Sequence, residues 1–304
     1  MISGSSASSP DDRVDPSLDD VPEANDSASN DPASNDQTSN DQTSSDHASA
    51  DPNGAGGLLA LVAFPSEGVW SLEELAATLR DGMPGGVDVT VDAARNQVTV
   101  SAAGQTEVTV SPERTPIPRE IIEGPCTDAA HWPGAMTTFA THRSHLICVE
   151  RSTGAPLHRA LFLTRVAAVL GEALGYIGVY WDGATMVHSA KAFSESAQAM
   201  KPKNLPLRLW VNFRPFEDDD GTHSLFTTGL DALGEREIEV WGSRSPMETL
   251  VNWAFNTAHY LVLGAGKIEH GQAVGVSQTE FVHAFLRPSM FPERGEVYCL
   301  VLEE

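Results

Sequence analysis

From residue 58 onward the apolar residues fall into short periodic blocks, and each block predicts an element. Leu58-Leu59-Ala60-Leu61-Val62-Ala63-Phe64 is an unbroken apolar run of strand length, as a strand buried on both faces requires. Ser71-Leu72-Glu73-Glu74 reads as a capping box, in which Ser71 accepts from the amide near Glu74 and Glu74 reaches back. Leu72, Leu75, Ala76 and Leu79 then make one helical stripe that ends near Gly82 and Pro84. Val87, Val89 and Val91 alternate with polar residues, as do Val98 with Val100 and Val108 with Val110, predicting antiparallel strands with one wet face. A helix is predicted over about 118–131, with Pro118 in its first turn, and Leu146-Ile147-Cys148-Val149 reads as a strand. The resulting order, β-α-β-β-α-β, is the ferredoxin-like plan.

A second stretch carries similar signals. Pro156 to Leu174 predicts a long helix apolar around most of its circumference, with Arg159, Arg165 and Glu172 forming a narrow wet stripe. Asp182-Gly183 stands between two apolar blocks, 176–181 and 184–188, as a hairpin turn would. Phe193, Ala197 and Met200 have helical spacing, and Leu207 to Phe213 reads as a strand. Strands are predicted near 223–227, 236–241, 280–286 and 296–302. Between them a helix runs from Pro246 to Leu263, with Ser245 as N-cap, Pro246 at N1 and Glu248 at N3. The fold class is therefore α+β, two halves with largely antiparallel sheets, divided as residues 58–151 and 152–304.

Residues 1–57 change that picture only by preceding it. They contain no aromatic residue, twelve acidic residues and one basic residue, Arg13. A five-residue repeat (Ser34-Asn35-Asp36-Gln37-Thr38, Ser39-Asn40-Asp41-Gln42-Thr43) has neither helical nor strand period and nothing apolar to bury. Such a segment cannot offset its ordering entropy and is expected to be a disordered, low-complexity acidic tail.

The whole chain of 304 residues holds 19 Lys+Arg against 42 Asp+Glu, a net charge of −23. That field repels phosphate backbones and anionic lipid, so neither a nucleic-acid nor a membrane partner is expected. No apolar run approaches the roughly 20 residues that span a bilayer. The N-terminus lacks a signal peptide, and the three cysteines make no disulfide framework, so a cytoplasmic protein is expected.

Motifs for chemistry are scarce. Gly264-Ala265-Gly266-Lys267 follows a helix and has Ile268 where a phosphate loop needs a hydroxyl, so it reads as a helix end. Glu217-Asp218-Asp219-Asp220-Gly221 has no closing glutamate for a calcium loop and reads as a turn. His142 and His145 lie three apart at a strand, on opposite faces, which argues against a shared metal. Neither a metal nor a cofactor is called for. The candidate binding residues are Trp181 beside the hairpin, Asn212 and Arg214 on one side of a strand, and Thr227 on the neighbouring strand. Arg214 would supply an anion-binding fork. Asn256 and His259 join them as a polar stripe on the last long helix.

Six ordered motifs resemble a bacterial family. They are Gly178-Val179-Tyr180-Trp181, Leu209 to Arg214, Ser224 to Leu230, Glu237-Ile238-Glu239-Val240, Asn256 to Leu261 and Arg287 to Phe291. The family is domain of unknown function 4261, and the resemblance extends over most of residues 58–304. It implies no activity, cofactor or catalytic residue. By analogy with other uncharacterised bacterial α+β families, the first expectation is a non-catalytic protein-interaction module, of the immunity type among others, for a protein partner with a basic surface. The alternatives are a small-ligand-binding protein and a hydrolase without a recognisable motif.

Overall fold

A computed structural model describes residues 57–102, 106–201, 203–276 and 280–302. The expected acidic tail lies outside the described residues, apart from Gly57. Among the described residues thirteen strands form two sheets. The first sheet holds β1 (Leu58–Phe64), β2 (Val87–Asp92), β3 (Gln97–Ala102), β4 (Thr106–Glu113), β5 (Ser144–Glu150), β6 (Gly178–Trp181) and β7 (Met186–Ser189), in the order β2-β3-β4-β5-β1-β6-β7. All of its pairs are antiparallel. The second holds β8 (Asn212–Glu217), β9 (His223–Thr228), β10 (Ile238–Ser243), β11 (Gln272–Gly275), β12 (Phe281–Pro288) and β13 (Glu296–Val301), in the order β11-β12-β13-β10-β9-β8. Only β10 and β13 run parallel there.

The apolar run of β1 follows from its place in the middle of the first sheet. Leu58, Ala60, Val62 and Phe64 face the main core with α1 (Leu72–Gly82) and α4 (Pro156–Leu174). Leu61 and Ala63 face a second cluster with Ile117, Ile122, Cys126 and Phe139, carried by α2 (Arg119–Thr127), α3 (Ala135–Phe139) and the segment before them. Both faces are covered, so no position in β1 can be polar. The capping box forms as expected, with Glu74 N donating to Ser71 Oγ at 3.1 Å and Ser71 N to Glu74 Oε2 at 2.8 Å.

The ferredoxin-like order needs correcting in its detail. Three strands rather than two separate α1 from α2, and β1 lies between β5 and β6, antiparallel to both. A β-α-β plan of that type would bring parallel neighbours together. The sheet also runs on past residue 151 through β6 and β7.

Three local expectations change for physical reasons. Leu207–Trp210 is one helical turn, α6, rather than strand, and Trp210 Nε1 donates to Thr164 Oγ1 at 2.8 Å. A short apolar run does not distinguish the two states, and Pro206 starts the turn by accepting from Leu209 N. The β6–β7 connection is four residues, Asp182 to Thr185, and Thr185 rather than Gly183 takes the positive φ (51°). Arg159 is not on a wet stripe but is 1% exposed, because α4 crosses the end of β5 and brings Arg159 against the buried Glu150.

The remaining helices are α5 (Ala190–Ala199), with Phe193 and Ala197 buried as their spacing predicts, and α7 (Met247–Val262), which packs on β8, β9 and β10. Helix α7 begins after Pro246 without a side-chain cap from Ser245. No helix among the described residues is long and apolar enough to cross a membrane.

Candidate functional site

The structure sends the six sequence-chosen residues to four places. Trp181 is 2% exposed and part of the main core. Register decides the next three. Asn212 lies opposite Thr228, and Arg214 opposite Phe226, on the outer face of the second sheet. Phe213 pairs with Thr227, so Thr227 points to the other face, towards α7. There Thr227 Oγ1 donates to Glu237 Oε2 at 2.5 Å and accepts from Ile238 N at 2.8 Å. Asn256 donates to Val276 O at 2.7 Å, and His259 stacks on Phe255 on the same helix. Asn212 and Arg214 therefore share a surface; Trp181, Thr227, Asn256 and His259 do not contribute to it.

Several buried titratable groups are engaged with backbone. Three backbone N–H groups, of Gly229, Leu230 and Asp231, point at Glu237 Oε1, while burial pushes its carboxyl well above the usual range. Burial raises Cys126 to about 11 and Cys148 to about 12, so neither is a ready thiolate. His142 accepts from Ile117 N at Nε2 and donates from Nδ1 to Phe139 O, while His145 Nδ1 donates to Thr115 O. Among the described residues no group of three or more His, Cys, Asp or Glu is placed to hold a metal ion.

His188 carries a pH prediction. It is 2% exposed, donates from Nε2 to Leu209 O at 3.1 Å, and lies 5.6 Å from His131. Burial first, then His131, lowers its pKa from 6.5 to about 3. The unfolded chain gains a proton here below about pH 6.5 and the folded chain does not. Stability is therefore fully present above that value and falls as pH drops towards about 3, by about 2 kcal/mol at pH 5. Glu237, with its raised pKa, acts with the opposite sign. Urea unfolding of His188→Gln at pH 7 and pH 5 isolates the first effect, since glutamine keeps a donor for Leu209. The variant should lose about 2 kcal/mol less on acidification than the wild type; equal losses would refute the assignment.

Concave surface occurs at the loop between β1 and α1. Val69 is 77% exposed at its crest. On one side is an open hollow of about 580 Å³ lined by Val69, Trp70, Ala77 and Leu174 with the carboxylates Glu74 and Asp81. On the other is a hollow of about 500 Å³ lined by Glu67, Arg114, Pro116 and Arg143. The ridge is held from below. Trp70 packs edge-on against the buried Phe64 at 4.5 Å, Ser144 Oγ donates to Ser66 O at 2.8 Å, and Arg143 N donates to Phe64 O at 2.8 Å. Gly68 has φ +62°, and a Cβ there would stand 2.7 Å from Ser144 Cβ. Leu174 is the last residue of α4, so the negative end of that helix also borders the acidic hollow. Sequence reasoning passed over this site although a signal was present: Glu74, Thr78 and Asp81 recur at i, i+4 and i+7 on α1.

Fold and surface together define an α+β protein of two largely antiparallel sheets with an exposed, charged ridge at the β1–α1 loop. Residues 226–296 match the family model described as Domain of unknown function (DUF4261). The matched segment runs from β9 to the start of β13 and contains α7. Of the six motifs, Gly178–Trp181 and Leu209–Arg214 lie outside it. No curated protein and no solved structure matches the chain.

Proposed function

We propose that the protein is a protein-interaction module that receives a partner with a basic surface, the immunity type being one form of such a module. The observation that carries this reading is the acidic hollow beside Val69. An exposed aliphatic side chain, an indole and two carboxylates converge there on a chain of net charge −23. A lysine or arginine side chain would place its stem on Trp70 and Leu174 and its charge between Glu74 and Asp81. The long-range field of the acidic chain speeds encounter with a basic partner, and the preformed loop lowers the ordering cost of binding. The engagement of His142, His145, His188 and Glu237 with backbone supports a binding role over a catalytic one.

Calorimetry with a short peptide of lysine, arginine and leucine tests the reading against its glutamate counterpart. Binding of the basic peptide alone, weakening as salt is raised, is the expected result. Equal binding of both peptides, or of neither, would contradict it.

A further inference from the structure

The outer face of the second sheet carries a different chemistry, independent of the ridge. Arg214 projects from β8 on this face, opposite Phe226 of β9, with its Cζ 5.5 Å from the centre of the Phe226 ring. Arg294, from the turn between β12 and β13, places its Cζ 4.7 Å from the same ring and 4.6 Å from Phe291. Two guanidinium groups thus share one aromatic ring. Arg294 gives Nη1 to Thr227 O at 2.9 Å and Nη2 to Thr228 Oγ1 at 3.4 Å, both uncharged acceptors. No ion pair among the described residues includes it. Arg214 is paired with Asp128, the C-cap of α2, and both side chains are partly exposed.

The surround is built rather than loose. Glu239 is 1% exposed and accepts from Trp241 Nε1 at 2.8 Å, from Ser289 Oγ and from Met290 N. That carboxylate fixes the turn that carries Phe291 and Arg294. Phe216, Phe226, Trp241 and Phe291 form a wall of tilted and edge-to-face rings with centres 5.0–6.1 Å apart. All four are only half-buried, so the wall remains open to a ligand.

We propose that this face binds a small monocarboxylate with an aromatic body, its carboxylate on the Arg214 guanidinium and its ring against Phe216 and Trp241, and that Asp128 is the internal competitor for that guanidinium. A carboxylate matches the planar guanidinium, and Asp128 already shows which group Arg214 accepts. The strongly acidic chain disfavours ligands of higher negative charge, which leaves one carboxylate as the fitting head group. The Asp128 pair is exposed enough to be displaced readily.

Titration of the full-length protein with benzoate, followed by NMR, tests this, with benzamide and inorganic phosphate as comparison probes. Benzoate should perturb the amides of Arg214, Phe226 and Trp241, and benzamide and phosphate should not. Asp128→Asn should tighten benzoate binding about three- to fivefold, and Arg214→Gln should weaken it at least about tenfold with an unchanged melting temperature. Absence of benzoate binding to Asp128→Asn would overturn the proposal. So would phosphate binding as well as benzoate, or affinities insensitive to both substitutions. Binding of the basic peptide should be the same in Arg214→Gln as in the wild type, so this inference and the ridge reading can fail separately.

Discussion

Replacing Arg159 with Met is expected to lower stability by about 3–5 kcal/mol. Glu150 ends β5 and is fully buried, and Arg159 stands in the first turns of α4 with its Nε against Glu150 Oε2. Ser152 N also donates to Glu150 Oε1 at 2.9 Å, so the carboxylate fastens the β5–α4 connection from both sides. Removing the guanidinium leaves a buried carboxylate with no neutralising charge, and desolvation makes that costly. Glu150→Gln in the same chain removes the orphaned charge while keeping an acceptor for Ser152. The double variant should therefore regain at least half of the loss. Urea unfolding at neutral pH measures all three proteins. A single-variant loss under about 1 kcal/mol would show that the pair contributes little.

The second large effect is on binding. Val69→Lys combined with Asp81→Lys should weaken binding of the basic peptide about a hundredfold, or about 2.7 kcal/mol. Both changes place positive charge where the partner's own would sit, and both positions are exposed. Stability should stay within about 0.5 kcal/mol of the wild type. Asp81 lies in the last turn of α1, where a lysine suits the helix dipole better than an aspartate does. Glu74 is left intact because its carboxylate also closes the capping box. A melting temperature unchanged alongside unchanged affinity would place the contact elsewhere.

Much of the fold was legible because its signals are local. The capping box at Ser71, the double-sided burial of β1 and the valine alternation of β2 to β4 each follow from residues within one element. What the sequence left unread depends on partners in other elements. Arg159 reads as a wet residue until β5 supplies Glu150, and Leu207–Trp210 reads as strand until Thr164 receives the Trp210 indole. The candidate site divides the same way. Asn212 and Arg214 share a face because they alternate along one strand. Thr227 faces away from them because register, which no single strand encodes, sets it opposite Phe213. Phe226, Trp241 and Arg294 come from three separate elements, so their convergence was invisible before the sheet was assembled.

The central claim is that the β1–α1 ridge is the surface that receives a basic partner. Backbone amide shift mapping of the whole chain during titration with the lysine, arginine and leucine peptide tests it most directly. Saturable shifts are expected, confined to Ser66 through Trp70, the Glu74, Thr78 and Asp81 face of α1, and Leu174. Shifts centred instead on the acidic turn from Glu217 to Asp220, or spread evenly over the acidic surface, would contradict it.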